Sequence, residues 1–250
     1  MKVFETLLRR ELAAYFLSPV AYVVAVCFLV LMGLSFWMLL EVLSQGPASA
    51  GVMRLLMGES VFFWLALLVV VPAITMRLFA EEQRSGTWET LMTAPVSEAM
   101  VVAAKYLAAW LFFGLLWLPT WSYPFLLARV APQTGAVDGG VLLATYAGVL
   151  CIGGFYLAVG LLASALTRNQ SVAAMITLVA LTVLILTGFI PEYARSPGIQ
   201  AWGRYTSALV HMKDFSRGVL DTRVFVFYAT LTVWVLFATV KSLEARRWKS

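Results

Sequence analysis

Long uncharged apolar stretches recur along the chain, separated by shorter segments that collect the charges, prolines and glycines. Six of them, at 20–40, 61–76, 106–127, 141–166, 171–190 and 224–240, match the length a helix needs to cross a hydrocarbon layer of about 30 Å. The second and sixth are short, but the flanking Arg77 and Lys241 can snorkel to the interface and extend them. The first follows Lys2, Arg9 and Arg10, as a signal peptide would. Its apolar run is too long for one and no A-x-A site follows, so it reads as a membrane helix. The pattern predicts an all-α, polytopic membrane protein with six transmembrane helices in one transmembrane domain over 1–250.

The intervening segments carry patterns of their own. In 1–18, Phe4, Leu8, Leu12 and Tyr15 recur at helical spacing with Leu7 beside them, while Lys2, Glu5, Arg9 and Arg10 point elsewhere. This suits an interfacial helix ending at Ser18 and Pro19; the alternative is an ordinary basic flank. In the loop 77–105, a helix continuing from the second span should stop near Gly86, which can adopt the left-handed conformation of a C-cap. Thr87 is placed to N-cap a short helix running to about 93, and Pro95 prevents its extension. That helix would present Glu89 with Trp88, Leu91 and Met92 as a docking element under the membrane; the alternative is a solvated loop.

The third span carries Pro119 and Pro124, which should kink or end it near the outer leaflet, and aromatics such as Trp110, Phe113, Trp117 and Trp121, read as interface anchors. In the fourth, Gly153, Gly154, Gly160 and Ser164 allow close helix packing. The loop 191–223 holds the single histidine, His211, beside Lys213, Asp214 and Asp221. Met212, Phe215 and Val219 recur there at helical spacing, which predicts a short helix in the outer interface ending near 218–221.

Composition narrows the function classes. With 62% of residues hydrophobic and 12% charged, a soluble domain is excluded, since such domains run near half and a quarter. The net charge of +5 is spread too thinly for nucleic-acid binding. It sets topology instead. Cytoplasmic termini place 11 of the 18 Lys and Arg residues inside, and five of the remaining seven fall in the long 191–223 loop, where the positive-inside rule is weaker. Cys27 and Cys151 lie within apolar runs, which excludes a disulfide framework and offers no metal site.

The chain has no G-x-x-x-x-G-K-[ST] loop to cradle nucleotide phosphates, no G-x-S-x-G elbow and no H-E-x-x-H helix. Glu81 and Glu82 resemble the start of a Glu-Glu-x-x-x-Arg protease signature, but Gly86 stands where the arginine would be. Only Glu41 is an acid close to the edge of a span, which leaves a self-sufficient ion-coupled carrier poorly equipped.

The segment 72–97, PAITMRLFAEEQRSGTWETLMTAPVS, resembles the signature region of ABC-2 type transporter permeases, in particular their gliding-motility-type branch. The stretches RELAAYFLSP at 10–19, HMKDFSRGVLDTR at 211–223 and LEARRWK at 243–249 are similar to that branch in order and spacing. The resemblance implies a permease that dimerises with a second copy or close paralogue and pairs with two separate ATPase subunits, in which ATP and Mg would be bound; this chain would bind no cofactor or metal and would not itself be an enzyme. It also implies that Glu81, Glu82, Arg84, Gly86, Thr87, Trp88, Glu89, Leu91, Met92 and Pro95 couple to the ATPase, and that the interfacial helix with Phe4, Leu8, Arg10, Glu11 and Leu12 lies against the same subunit. His211, Phe215, Gly218 and Asp221 would form an outer gate. An accessory membrane subunit and lipid complete the expected partners, and the bacterial inner membrane is the expected location. A non-transporting scaffold of a motility or secretion apparatus is the alternative function.

Overall fold

The computed structural model describes residues 2–45, 51–86, 97–130 and 138–247, all helix and turn. Six helical stretches are long and apolar enough to cross a membrane: Pro19–Ser44, Val61–Ser85, Glu98–Val130, Gly139–Leu166, Gln170–Tyr193 and Thr222–Ala245. They coincide with the six expected spans, and their ends extend beyond the uncharged runs because helices continue into the polar margin.

In chain order, α1 (Lys2–Leu17) stops where Pro19 begins α2 (Pro19–Ser44). A single π-helical turn, Arg54–Gly58, leads to α3 (Val61–Thr75), followed by the short α4 (Ala80–Ser85). The third span is α5 (Glu98–Trp117), a 3-10 turn at Leu118–Ser122, and α6 (Tyr123–Val130). The turn occurs where Pro119 cannot supply an N–H to the helical ladder, whereas Pro124, expected to act likewise, sits in the first turn of α6, where no intrahelical partner awaits its N–H and the helix resumes. Then come α7 (Gly139–Leu166) and α8 (Gln170–Leu186), another 3-10 turn at Thr187–Phe189, and three short helices, α9 (Ile190–Tyr193), α10 (Pro197–Thr206) and α11 (Ala208–Phe215). The sixth span is α12 (Thr222–Arg247).

The central helix is α7, against which α3, α5, α8, α11 and α12 all pack. Its most apolar stretch is 72% buried within the chain, against 17% for α12, so α7 reads as core and α12 as periphery. The glycines of α7 make room for aromatic rings on α5. Tyr106 Oη donates to the Gly154 carbonyl at 3.2 Å and Trp110 Nε1 to that of Leu150 at 3.1 Å. Phe113 and Trp117 are buried rather than spread along a membrane belt; Trp121 and Phe125, further out, stay exposed. The ring of Trp117 meets Phe28 edge-on at 4.8 Å, which ties α5 to α2.

Candidate functional site

The two ends of the bundle gather different chemistry. At one end, α1 lies against α5, with the Tyr15 ring stacked on Phe112 at 4.7 Å and 7° between planes. Tyr15 Oη donates to the Ile74 carbonyl at 3.2 Å, so α1 also fastens to the end of α3. Burial, with the Glu11 carboxylate nearby, holds the Tyr15 phenol above its ordinary range. Phe4, Leu8 and Leu12 are half-buried, and Glu5 and Arg9 pair on the exposed face.

The chain turns from α3 into α4 around one serine. Ser164, on α7, accepts from the backbone N–H groups of Phe79 and Ala80, each at 3.1 Å, and donates to the Met76 carbonyl at 3.2 Å. Those N–H groups stand at the N-cap and first position of α4, where the helix itself offers no acceptor. Gln83 Nε2 adds a bond to the Ala165 carbonyl at 3.1 Å. The hydroxyl of Ser164 therefore carries the junction, a role that its reading as a small packing residue did not contain.

Lys105 closes the arrangement. It sits within α5, 2% exposed, its Nζ 3.0 Å from Glu11 Oε2 on α1 and 2.8 Å from Glu82 Oε1 on α4. The Phe79 ring lies 5.4 Å away, close enough for a cation–π contact. Two carboxylates and one ammonium, all largely withdrawn from water, thus join three elements far apart in sequence. Arg10 adds a looser contact to Glu82 at 3.7 Å. Glu81 faces outward and pairs with Arg77, Arg84 is exposed, and Gly86 caps α4 with φ of +73°. Of the residues expected to couple to an ATPase, Glu11 and Glu82 are turned inward to Lys105, whereas Glu81, Arg84 and Gly86 remain accessible. Thr87, Trp88, Glu89, Leu91, Met92 and Pro95, with the short helix expected there, lie outside the described residues. Lys105 itself was missed by the sequence reading, which counted it only as a boundary charge.

At the opposite end, α11 runs from Ala208 to Phe215, its N-terminus capped by Ser207 Oγ, which accepts from the Val210 N–H at 3.1 Å. The expected helix is present, but it ends earlier than its apolar spacing suggested. Gly218 takes a left-handed φ of +82°, and Val219 lies beyond the helix, exposed. Met212 and Phe215 are buried within the chain itself rather than resting in a membrane interface. Phe215 packs against Gly148 of α7 and Phe225 of α12. His211 Nδ1 stands 3.0 Å from the Tyr228 hydroxyl, and burial pushes its pKa down from 6.5, opposed by the charges of Asp214 and Asp221. His211, Asp214, Phe215 and Asp221 share the lining of a cavity of about 490 Å³, while Gly218 sits against Val141. Asp221 Oδ1 accepts from the Arg223 N–H at 2.8 Å and starts α12. Among the described residues no three His, Cys, Asp or Glu side chains converge as a metal site.

A family model described as ABC-2 family transporter protein matches residues 17–186, which takes in α2 to α8, the Ser164 junction and Lys105. No curated protein matches the chain.

Proposed function

The chain belongs to the ABC-2 transporter family, as a membrane-spanning permease component of an ABC transporter, and from that premise we propose that it is half of an ATP-driven exporter energised by a separate ATPase. Two permease copies, or this chain and a close paralogue, would pair with two ATPase subunits that bind ATP and Mg. The family match supports the permease role. The Lys105 junction supports the coupling, because it ties the end of the bundle that carries α1 and α4 directly to a membrane-spanning helix.

ATP binding would close the ATPase pair, and the docked segment after Gly86 would move with it. An ion pair and a serine-bonded helix start transmit displacement as a rigid body, since neither tolerates separation of its partners without exposing buried polar groups. The outer helices α10 and α11 would then respond at the far end through α7, against which α11 packs. The similarity to the gliding-motility-type branch suggests an accessory membrane subunit as well. The charge distribution supports cytoplasmic termini, and the family resemblance suggests a bacterial inner membrane.

The deciding experiment is purification of the tagged chain from its native membrane, followed by ATP hydrolysis and flux in lipid. A Walker-motif ATPase should co-purify and drive flux; an intact complex with no ATP-dependent flux would leave the scaffold role in its place. Topology is tested separately. Single cysteines at the exposed Ser97 and Ser196, in a chain with Cys27 and Cys151 replaced, should label from opposite sides of the membrane.

A further inference from the structure

At the α1 end of the bundle a cavity of about 510 Å³ opens between α1, the start of α2, the end of α3, α4 and α5. That volume falls among small-ligand sites, which run roughly 300–1,000 Å³. Its two ends differ in character. Arg10, Arg77 and Glu81 line it with partly exposed side chains, which we take as its mouth, while Ala21, Val24 and Phe112, buried on the spanning helices α2 and α5, form its apolar part. The polar end therefore lies where the helices enter the membrane and the apolar end lies inside it.

The mouth has capacity left for a ligand. Arg77 donates through Nη1 to Ser18 Oγ at 2.6 Å and through Nε to Glu81 Oε2 at 3.1 Å, and its side chain is still 34% exposed. Arg10, 59% exposed, has its nearest carboxylate only at 3.7 Å. Glu81 is about half exposed. Lys105, by contrast, is engaged and buried deeper.

Charge balance selects the head group. Arg10, Arg77 and Lys105 line the cavity together with Glu11, Glu81 and Glu82, so the lining is neutral in sum. A purely anionic head would leave this neutral lining with a net negative charge, whereas a head holding both signs keeps the balance. We propose that the cavity binds a zwitterionic phospholipid with a primary ammonium, its phosphate at Arg10 and Arg77, its ammonium at Glu81, and one acyl chain along Ala21, Val24 and Phe112. A primary ammonium donates hydrogen bonds to a carboxylate, which a quaternary one cannot, so ethanolamine heads are preferred to choline heads.

The test is lipid retention by the purified permease, read by native mass spectrometry after incubation with phosphatidylethanolamine, phosphatidylcholine, phosphatidylglycerol or the chain-free head glycerophosphoethanolamine. The permease should retain phosphatidylethanolamine on the order of tenfold better than phosphatidylglycerol or phosphatidylcholine, as a single charge-assisted hydrogen bond at the low end of its range would give. The chain-free head should be retained weakly. Glu81→Gln should erase the preference among heads, and Arg77→Gln should lower retention of every phospholipid. Ala14→Trp, at an exposed position of α1 that lines the cavity, should abolish retention with helical content unchanged by circular dichroism. Undiminished retention by the Ala14→Trp variant would overturn the site. Equal retention of phosphatidylglycerol would overturn the zwitterion, and tight binding of the chain-free head would overturn the acyl slot. None of these readouts needs the ATPase, so they stand apart from the transport reading.

Discussion

Lys105 Nζ lies 3.0 Å from Glu11 Oε2 although the two residues are 94 positions apart in the chain. The same ammonium reaches Glu82, so its loss would leave two carboxylates facing each other with little water between them. Breaking a buried pair by removing one partner costs about 3–5 kcal/mol, and the residual exposure here places Lys105→Met near the low end, about 3 kcal/mol. The expected result is a clear drop in the thermal unfolding midpoint of the purified protein, partly recovered when Glu11→Gln is added. A loss below about 1 kcal/mol would place the pair with exposed surface ion pairs and remove its structural role.

Gly86 ends α4 with a left-handed backbone, and among the described residues nothing stands within 4 Å of where a Cβ would be. A substitution there acts through the left-handed backbone it must adopt. Gly86→Val should cost about 1–2 kcal/mol locally. Gly86→Asn should cost less, because asparagine visits this conformation more readily. Unfolding of the bundle should barely change, while affinity for the ATPase should fall for Val and recover for Asn. Equal ATPase affinity for all three would separate the cap from coupling.

The six spans were legible because each runs apolar and free of charge over enough residues to cross a hydrocarbon layer, whether it faces the core or the periphery of the bundle. The left-handed stop at Gly86 and the break at Pro119 were legible for a similar reason: each depends on one residue's own backbone. The Lys105 cluster was not, since its partners come from α1 and α4 and only packing brings them together. One signal was present: Lys105 is flanked by Val101, Val102, Ala104 and Ala108, an apolar setting in which a lysine needs buried partners. Ser164 was misjudged by size, its hydroxyl being what the Phe79 and Ala80 N–H groups require. Spacing placed Val219 with Met212 and Phe215, but the turn at Gly218 takes it off the helix.

Phe215 and Gly148 are matched by absence of a side chain. A Cβ added at Gly148 would stand 2.6 Å from Phe215 Cγ and 2.8 Å from its Cβ, so Gly148→Ala must push α11 away from α7. Overpacking of this kind costs about 1–3 kcal/mol. Hydrogen exchange across 208–215 should speed up in Gly148→Ala and slow again when Phe215→Leu is combined with it. Rapid exchange through this stretch already in the parent protein would show that α11 is not held against α7, and the outer-gate role would fall with it.

His211 supplies a pH dependence with a definite sign. It is 6% exposed, with Nδ1 3.0 Å from the Tyr228 hydroxyl, and burial lowers its pKa from 6.5 despite Asp214 and Asp221 pulling the other way. In the unfolded chain the imidazole takes up a proton near its ordinary value, whereas the folded protein resists it. Between those two pKa values the unfolded state binds more protons, so stability rises with pH. The contribution is complete above the unfolded value and drains away as pH falls through 6.5 towards the lower folded value, at up to about 1.4 kcal/mol per pH unit. Thermal midpoints at pH 7.5 and 5.5 should differ more for the parent than for His211→Gln, which cannot be protonated in this range. If both proteins lose the same amount on acidification, groups other than His211 carry the effect.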